Sequence, residues 1–118
     1  MNLELLFYAS KVTGDTNLYD IAVTHAETTL RNHFREDFST YHVVNYDPGT
    51  GSMLHQATCQ GWSDNSTWAR GQAWAIYGFT MTYREKDDRR FIDAAAKAVD
   101  WYIEHLHKDL VPSLEFNG

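Results

Sequence analysis

A loose internal repeat constrains this chain more than any other feature. Asn17-Leu18-Tyr19-Asp20-Ile21-Ala22-Val23 resembles Arg90-Phe91-Ile92-Asp93-Ala94-Ala95-Ala96, offset by 73 residues. Each copy follows an apolar, helix-forming segment and a short acidic turn. A helical hairpin that cannot bury its apolar face alone must stack on its neighbours, so the repeat implies a stacked or circular helical array. Two hairpins cannot close a ring. The 118 residues are therefore expected to be a fragment of one larger domain.

Periodicity and punctuation place the elements. Leu3 to Ser10 is apolar and rich in helix formers, with Asn2 as the candidate cap in front of it. That helix is expected to stop at Thr13-Gly14-Asp15, where glycine can take the left-handed conformation. A second helix runs from Asn17 to about His33-Phe34, with Leu18, Ile21, Ala22, Ala26, Thr29 and Leu30 facing inward. Thr40 to Tyr46 is β-branched and aromatic and reads as a strand. Asp47 to Gly51 is a turn, and Ser52 to His55 the return strand. Gln60 to Ser66 is a polar loop whose Ser and Asp side chains are candidate caps for a third helix over Thr67–Glu85. That helix is apolar on nearly all sides and should be mostly buried. A fourth spans Arg90 to His107, with Phe91, Ala94, Ala95, Ala98, Val99, Tyr102 and Leu106 inward, and the tail leaves helix at Pro112. The fold class is all-α, built of helical hairpins with a short β-hairpin insertion.

Composition excludes several functions. A hydrophobic content of 43% with 22% charged residues is that of a globular chain and rules out disorder. The net charge of −6, with no Lys/Arg cluster, argues against nucleic acid. No apolar run approaches the roughly 20 residues that cross a bilayer, so no membrane partner is expected. Met1 is not followed by a basic region and a long apolar stretch, so no signal peptide is visible; cytoplasm and periplasm both stay open. Cys59 is the single cysteine and reads as a small buried or half-buried filler. The six histidines show no metal-binding spacing, and no phosphate-binding glycine loop is present, so neither metal nor cofactor is expected.

The densest stretch of unusual residues is Gln60 to Trp74. On a helix, Arg70, Trp74 and Tyr77 fall at i, i+4 and i+7 and share one face. Two readings follow. Arg70 pairs with Asp64 or another internal carboxylate, because a buried guanidinium needs an acceptor. Alternatively the face is a pocket wall, an aromatic plate for a sugar ring with a fork for a carboxylate. His42, beside Tyr41, is either a packed, satisfied residue or a participant in chemistry. Glu27, Asp93 and Asp100 fit solvent faces, and Asp47 and Asp64 are not taken as catalytic acids.

The chain resembles the unsaturated glucuronyl hydrolases of glycoside hydrolase family 88. The resemblance rests on Met1-Asn2-Leu3 with Leu5-Leu6, Ala9-Ser10-Lys11, Thr13-Gly14-Asp15, His42, Tyr46-Asp47-Pro48, Thr50-Gly51, Gln60-Gly61, Ser63-Asp64 and Ser66. Its most specific part is Trp68-Ala69-Arg70-Gly71-Gln72-Ala73-Trp74, and Val111-Pro112 with Phe116-Asn117 extends it to the tail. Cys59 and Ser113-Leu114 depart from the pattern.

The resemblance implies a partial (α/α)6 barrel, an inner ring of helices within an outer ring, with the site at one mouth. It implies hydration of the C4=C5 bond of an unsaturated uronic acid at the non-reducing end of lyase-generated, glycosaminoglycan-type oligosaccharides. Protonation at C4 and addition of water at C5 give a hemiketal, whose collapse releases the neighbouring sugar. His42, Gln60, Arg70 and Trp74 match the family's substrate-binding positions, with Trp68 a further candidate. The family's catalytic aspartates map upstream of Met1, so the fragment is expected to hold no catalytic carboxylate and to be inactive alone. The alternatives are an unsaturated rhamnogalacturonyl hydrolase and a non-catalytic helical module that binds sugar or protein. Inner helices left without neighbours would expose apolar surface, so self-association of the fragment is expected.

Overall fold

The computed structural model describes residues 3–116. Asn2, the candidate cap, and Met1 and Asn117 of the motif lie outside the described residues. Four helices and one hairpin follow in the order α1 (Leu3–Thr13), α2 (Thr16–Asn32), β1 (Val43–Tyr46), β2 (Met53–Ala57), α3 (Ala69–Lys86) and α4 (Arg89–Glu104). α1 packs on α2 and α3 on α4, and α1 and α2 also touch α3.

The internal repeat is visible in how the hairpins turn. Gly14 closes α1 at φ +75°, and Asp15 then caps α2 by accepting from Asn17 N–H. After α3, Asp87 takes a left-handed φ of 54°, and Asp88 caps α4 by accepting from Arg90 N–H. Asp15 and Asp88 are separated by the same 73 residues as the sequence repeat.

The core lies where the two hairpins meet. Leu3 and Phe7 of α1, Ala22 and Ala26 of α2, Ala75, Phe79 and Met81 of α3, and Phe91 and Ala95 of α4 form one buried cluster. Phe79 stacks on Phe91 with centroids 6.0 Å apart and meets Phe34 at 5.3 Å. Alanines at the crossing points let the helices approach while the phenylalanines fill the space between them.

Several expectations are corrected. Ile21 is 55% exposed, because the buried stripe of α2 runs through Ala22 and Ala26. α4 ends at Glu104, so Leu106 lies beyond it, and the buried Trp101 occupies the inner face instead. α3 is not buried on most sides: its buried stripe is Ala69, Gln72, Ala75, Gly78, Phe79, Met81 and Thr82, while Trp74 and Tyr77 face outward. The return strand is Met53–Ala57 rather than Ser52–His55, because Val43 and Val44 pair with Ala57 and Gln56, and the register is irregular between Asn45 and Tyr46.

The turn between β1 and β2 is held by one carboxylate. Asp47 Oδ1 accepts from Gly49 N–H, Thr50 N–H and the Thr50 hydroxyl at 2.9, 2.7 and 3.0 Å.

Candidate functional site

The site is built where the α2–β1 connection, the loop after β2, the start of α3 and the tail converge. Its organiser is Arg35. Nη1 donates to Ser39 Oγ, Thr40 O and Thr67 Oγ1 at 3.2, 2.9 and 3.1 Å. Nη2 donates to the carbonyls of Asp64 and Ser66, both at 3.1 Å. The guanidinium also lies 4.1 Å from the centre of the Tyr41 ring. One planar fork therefore ties the loop before α3 to the segment leading into the hairpin.

That tie fixes the segment that enters α3. The expected Ser or Asp cap does not form; Trp68 is the capping residue and its side chain makes no cap bond. The tail supplies the partner instead: Ala69 N–H donates to Leu114 O at 3.0 Å, and Phe116 N–H to Thr67 O at 3.1 Å. Trp68 thus sits ahead of the helix rather than within it.

Trp68 is 7% exposed and forms the floor of the site. The His42 ring stacks on it, with centroids 4.2 Å apart at 29°. The Arg70 guanidinium also lies over the indole, 4.4 Å from its centre. Gly71 makes room for this: a Cβ there would stand 3.1 Å from Trp68 Cε3. Arg70 is exposed and reaches Gln60 Oε1 with Nη2 at 3.5 Å. It does not pair with Asp64, whose Oδ1 accepts Thr58 N–H at 2.7 Å. Asp47 and Asp64 are both committed to loop hydrogen bonds.

His42 lies just before β1 rather than on it. Its Nδ1 faces the N–H groups of Cys59 and Gln60, each at 3.2 Å, and the Thr58 hydroxyl at 3.2 Å. Two backbone donors on Nδ1 make it an acceptor and put the proton of the neutral ring on Nε2. Burial pushes the imidazole below its ordinary value, Glu115 opposes the shift and Arg70 adds to it. The group is a neutral hydrogen-bond donor.

Trp74 is 44% exposed and meets Tyr77 edge-on at 5.8 Å. Tyr77 Oη donates to Glu4 of α1. Trp74 and Trp68 line, with His25, His33, Tyr41 and His42, a cavity of about 260 Å³. The structure thus brings His42, Gln60, Arg70 and Trp68 into contact through one turn and one indole, and sets Trp74 on the cavity wall. Cys59, expected as a filler, is exposed; its backbone rather than its thiol serves the site.

The sequence profile of Glycosyl Hydrolase Family 88 matches residues 1–115. The chain belongs to this family. It is 51% identical over 119 residues to an unsaturated glucuronyl hydrolase of Formosa agariphila, covering 99% of this chain and 30% of that protein. A crystal structure of an unsaturated glucuronyl hydrolase specific for heparin superposes with a TM-score of 0.96 at 42% identity, over 99% of this chain and 32% of the other. A mutant unsaturated glucuronyl hydrolase from Streptococcus agalactiae, complexed with dGlcA-GalNAc6S, superposes at 0.83 with 38% identity, over 98% of this chain and 30% of the other. The chain spans just under a third of the length of these relatives. Their mostly helical architecture, with its small antiparallel sheet, is shared by this family 88 chain.

Arg35, Tyr41, Thr58 and Glu115 were missed as parts of the site. Arg35 precedes Glu36 and Asp37 and reads as one of a solvated charge run. The crowding around Gly61, where a Cβ would meet Thr58 and Glu115, shows only in the structure.

Proposed function

We propose that the chain is the substrate-gripping wall of an unsaturated glucuronyl hydrolase, and that residues 1–118 form part of a single (α/α)6 barrel. The substrate class is an unsaturated uronic-acid oligosaccharide of the glycosaminoglycan type. The observation that carries the reading is the cluster on Trp68: a neutral imidazole and an arginine against one buried indole, beside a half-exposed tryptophan.

Each part has a use in that reaction. The exposed Arg70 fork suits the sugar carboxylate or its ring oxygens. Gln60, aligned by Arg70, offers an amide to a hydroxyl. His42 Nε2–H donates to an oxygen near the reacting carbons, and because its Nδ1 is occupied it is not the general acid. Trp74 gives the apolar face of the sugar ring a plate. Protonation at C4 needs a carboxylic acid. Asp47 and Asp64 are engaged elsewhere. By the family resemblance, which maps the catalytic aspartates upstream of Met1, the acid is read as lying outside these 118 residues.

The test follows the ultraviolet absorbance of an unsaturated chondroitin disaccharide. The protein as its gene encodes it bleaches that absorbance, and the 118-residue chain alone does not. Full turnover by the 118 residues would contradict the placement of the acid.

A further inference from the structure

Both carboxylate oxygens of Glu115 are sealed from solvent and have no hydrogen-bond partner among the described residues. A buried carboxylate without a donor is costly, so a fold that keeps one there must gain from it. Its position is imposed by backbone. Glu115 forms a bridge with Trp68, flanked by the Leu114 and Phe116 hydrogen bonds to the start of α3. Its Oε1 is braced on Gly61, only 2.7 Å from where a Cβ would stand. Gly61 N–H donates to Thr58 Oγ1 at 2.9 Å, and that hydroxyl is 3.2 Å from His42 Nδ1. The same turn carries the Cys59 and Gln60 N–H groups that hold His42.

We propose that Glu115 is a positioning residue for the sugar-binding wall. Its sealed carboxylate braces the 58–61 turn, and its charge offsets that of Arg70 around His42, so that Nε2–H and the Gln60 amide are aimed at the same sugar. The inference rests on reading this wall as the substrate site. It assigns no proton transfer to Glu115, whose carboxylate oxygens are sealed from solvent.

The charges facing His42 come from three elements. Glu115 stands on the tail and Arg70 on α3, while His33 at the end of α2 also interacts with it. Glu115 supplies the negative one. Removing its charge without changing its size must therefore lower the pH at which His42 takes up a proton.

The experiment is an NMR titration of the His42 ring in the protein as its gene encodes it, with Glu115→Gln and Glu115→Asp variants. In Glu115→Gln, His42 titrates at lower pH than in the parent, and KM for an unsaturated disaccharide rises roughly fivefold while kcat changes less. In Glu115→Asp, which keeps the charge, the titration stays close to the parent. If Glu115→Gln does not fold, the parent is read directly: the Glu115 carboxyl carbon signal shows a step as His42 protonates. An unchanged His42 titration in Glu115→Gln, an equal shift in Glu115→Asp, or no step in the carboxyl signal would overturn the proposal. A parent protein that leaves the unsaturated sugar intact would sink the substrate reading, while the titration still decides the role of Glu115.

Discussion

Gly61 is the residue at which the site tolerates least change. A Cβ would fall 2.5 Å from Thr58 Oγ1 and 2.7 Å from Glu115 Oε1. Gly61→Ala is expected to cost about 1–3 kcal/mol through forced displacement, read by urea denaturation. It should also disturb the His42 ring signals, since Thr58 contacts both groups. Arg35 is the second such residue. Arg35→Met removes five hydrogen bonds and leaves the carbonyls of Thr40, Asp64 and Ser66 without their donor. A loss of about 3–5 kcal/mol in stability is expected, and Arg35→Lys should recover little, because an ammonium cannot span both loops. Of the residues proposed to grip the sugar, Trp68, Arg70 and Trp74 stood out in sequence because the Trp-Ala-Arg-Gly-Gln-Ala-Trp string carries them together, while His42 and Gln60 lie outside it. Arg35 was not, because its acceptors are mostly backbone carbonyls, and no residue type records a carbonyl.

At the scale of elements, α3 shows what periodicity can and cannot say. Its apolar residues on all sides suggested burial, yet Trp74 and Tyr77 face outward and line or flank the cavity. An exposed aromatic and a buried one look alike in a sequence; their neighbours in space decide. The cap of α3 was equally hidden, since it is the backbone of a tail more than forty residues away. The acidic caps of α2 and α4 were legible because they are local and repeated.

The elements around the cavity also set a pH dependence. Burial lowers the imidazoles of His25, His33 and His42 below their ordinary 6.5. A depressed folded value means that the unfolded chain binds more protons, so stability is fully present above 6.5 and is lost as pH falls through the lowered values. Burial pushes the Asp37 carboxyl up, but hydrogen bonds from Ser39 and Trp101 outweigh it, aided by Arg35, and hold it below 3.8. Its contribution persists through the first window and is lost only below 3.8. The melting temperature should therefore fall in two stages on acidification, and His42→Gln should shrink the first. A single decline confined to strongly acid pH would count against neutral histidines with lowered values.

For the whole molecule, the described residues leave apolar side chains without cover. Leu5, Tyr8 and Val12 on α1 are 68, 64 and 66% exposed, and Ile103 on α4 is 61% exposed. Packed inside a ring of helices these faces would be covered; on 118 residues alone they are expected to drive association. Sedimentation of the isolated chain should show oligomers whose proportion rises with concentration. A monodisperse monomer at high concentration would argue that the faces are tolerated as they stand.

The central claim is that the cluster on Trp68 grips the unsaturated sugar. Its most direct measurement is kcat/KM for an unsaturated chondroitin disaccharide, by loss of ultraviolet absorbance, in the protein as its gene encodes it and in its Arg70→Met variant. Arg70 is exposed and its removal leaves the floor in place, so the variant should melt like the parent. The account predicts a fall in kcat/KM of about 100-fold, the loss of a charge-assisted contact worth ~2.7 kcal/mol. A variant as active as its parent, or a parent with no activity on the unsaturated sugar, would contradict it.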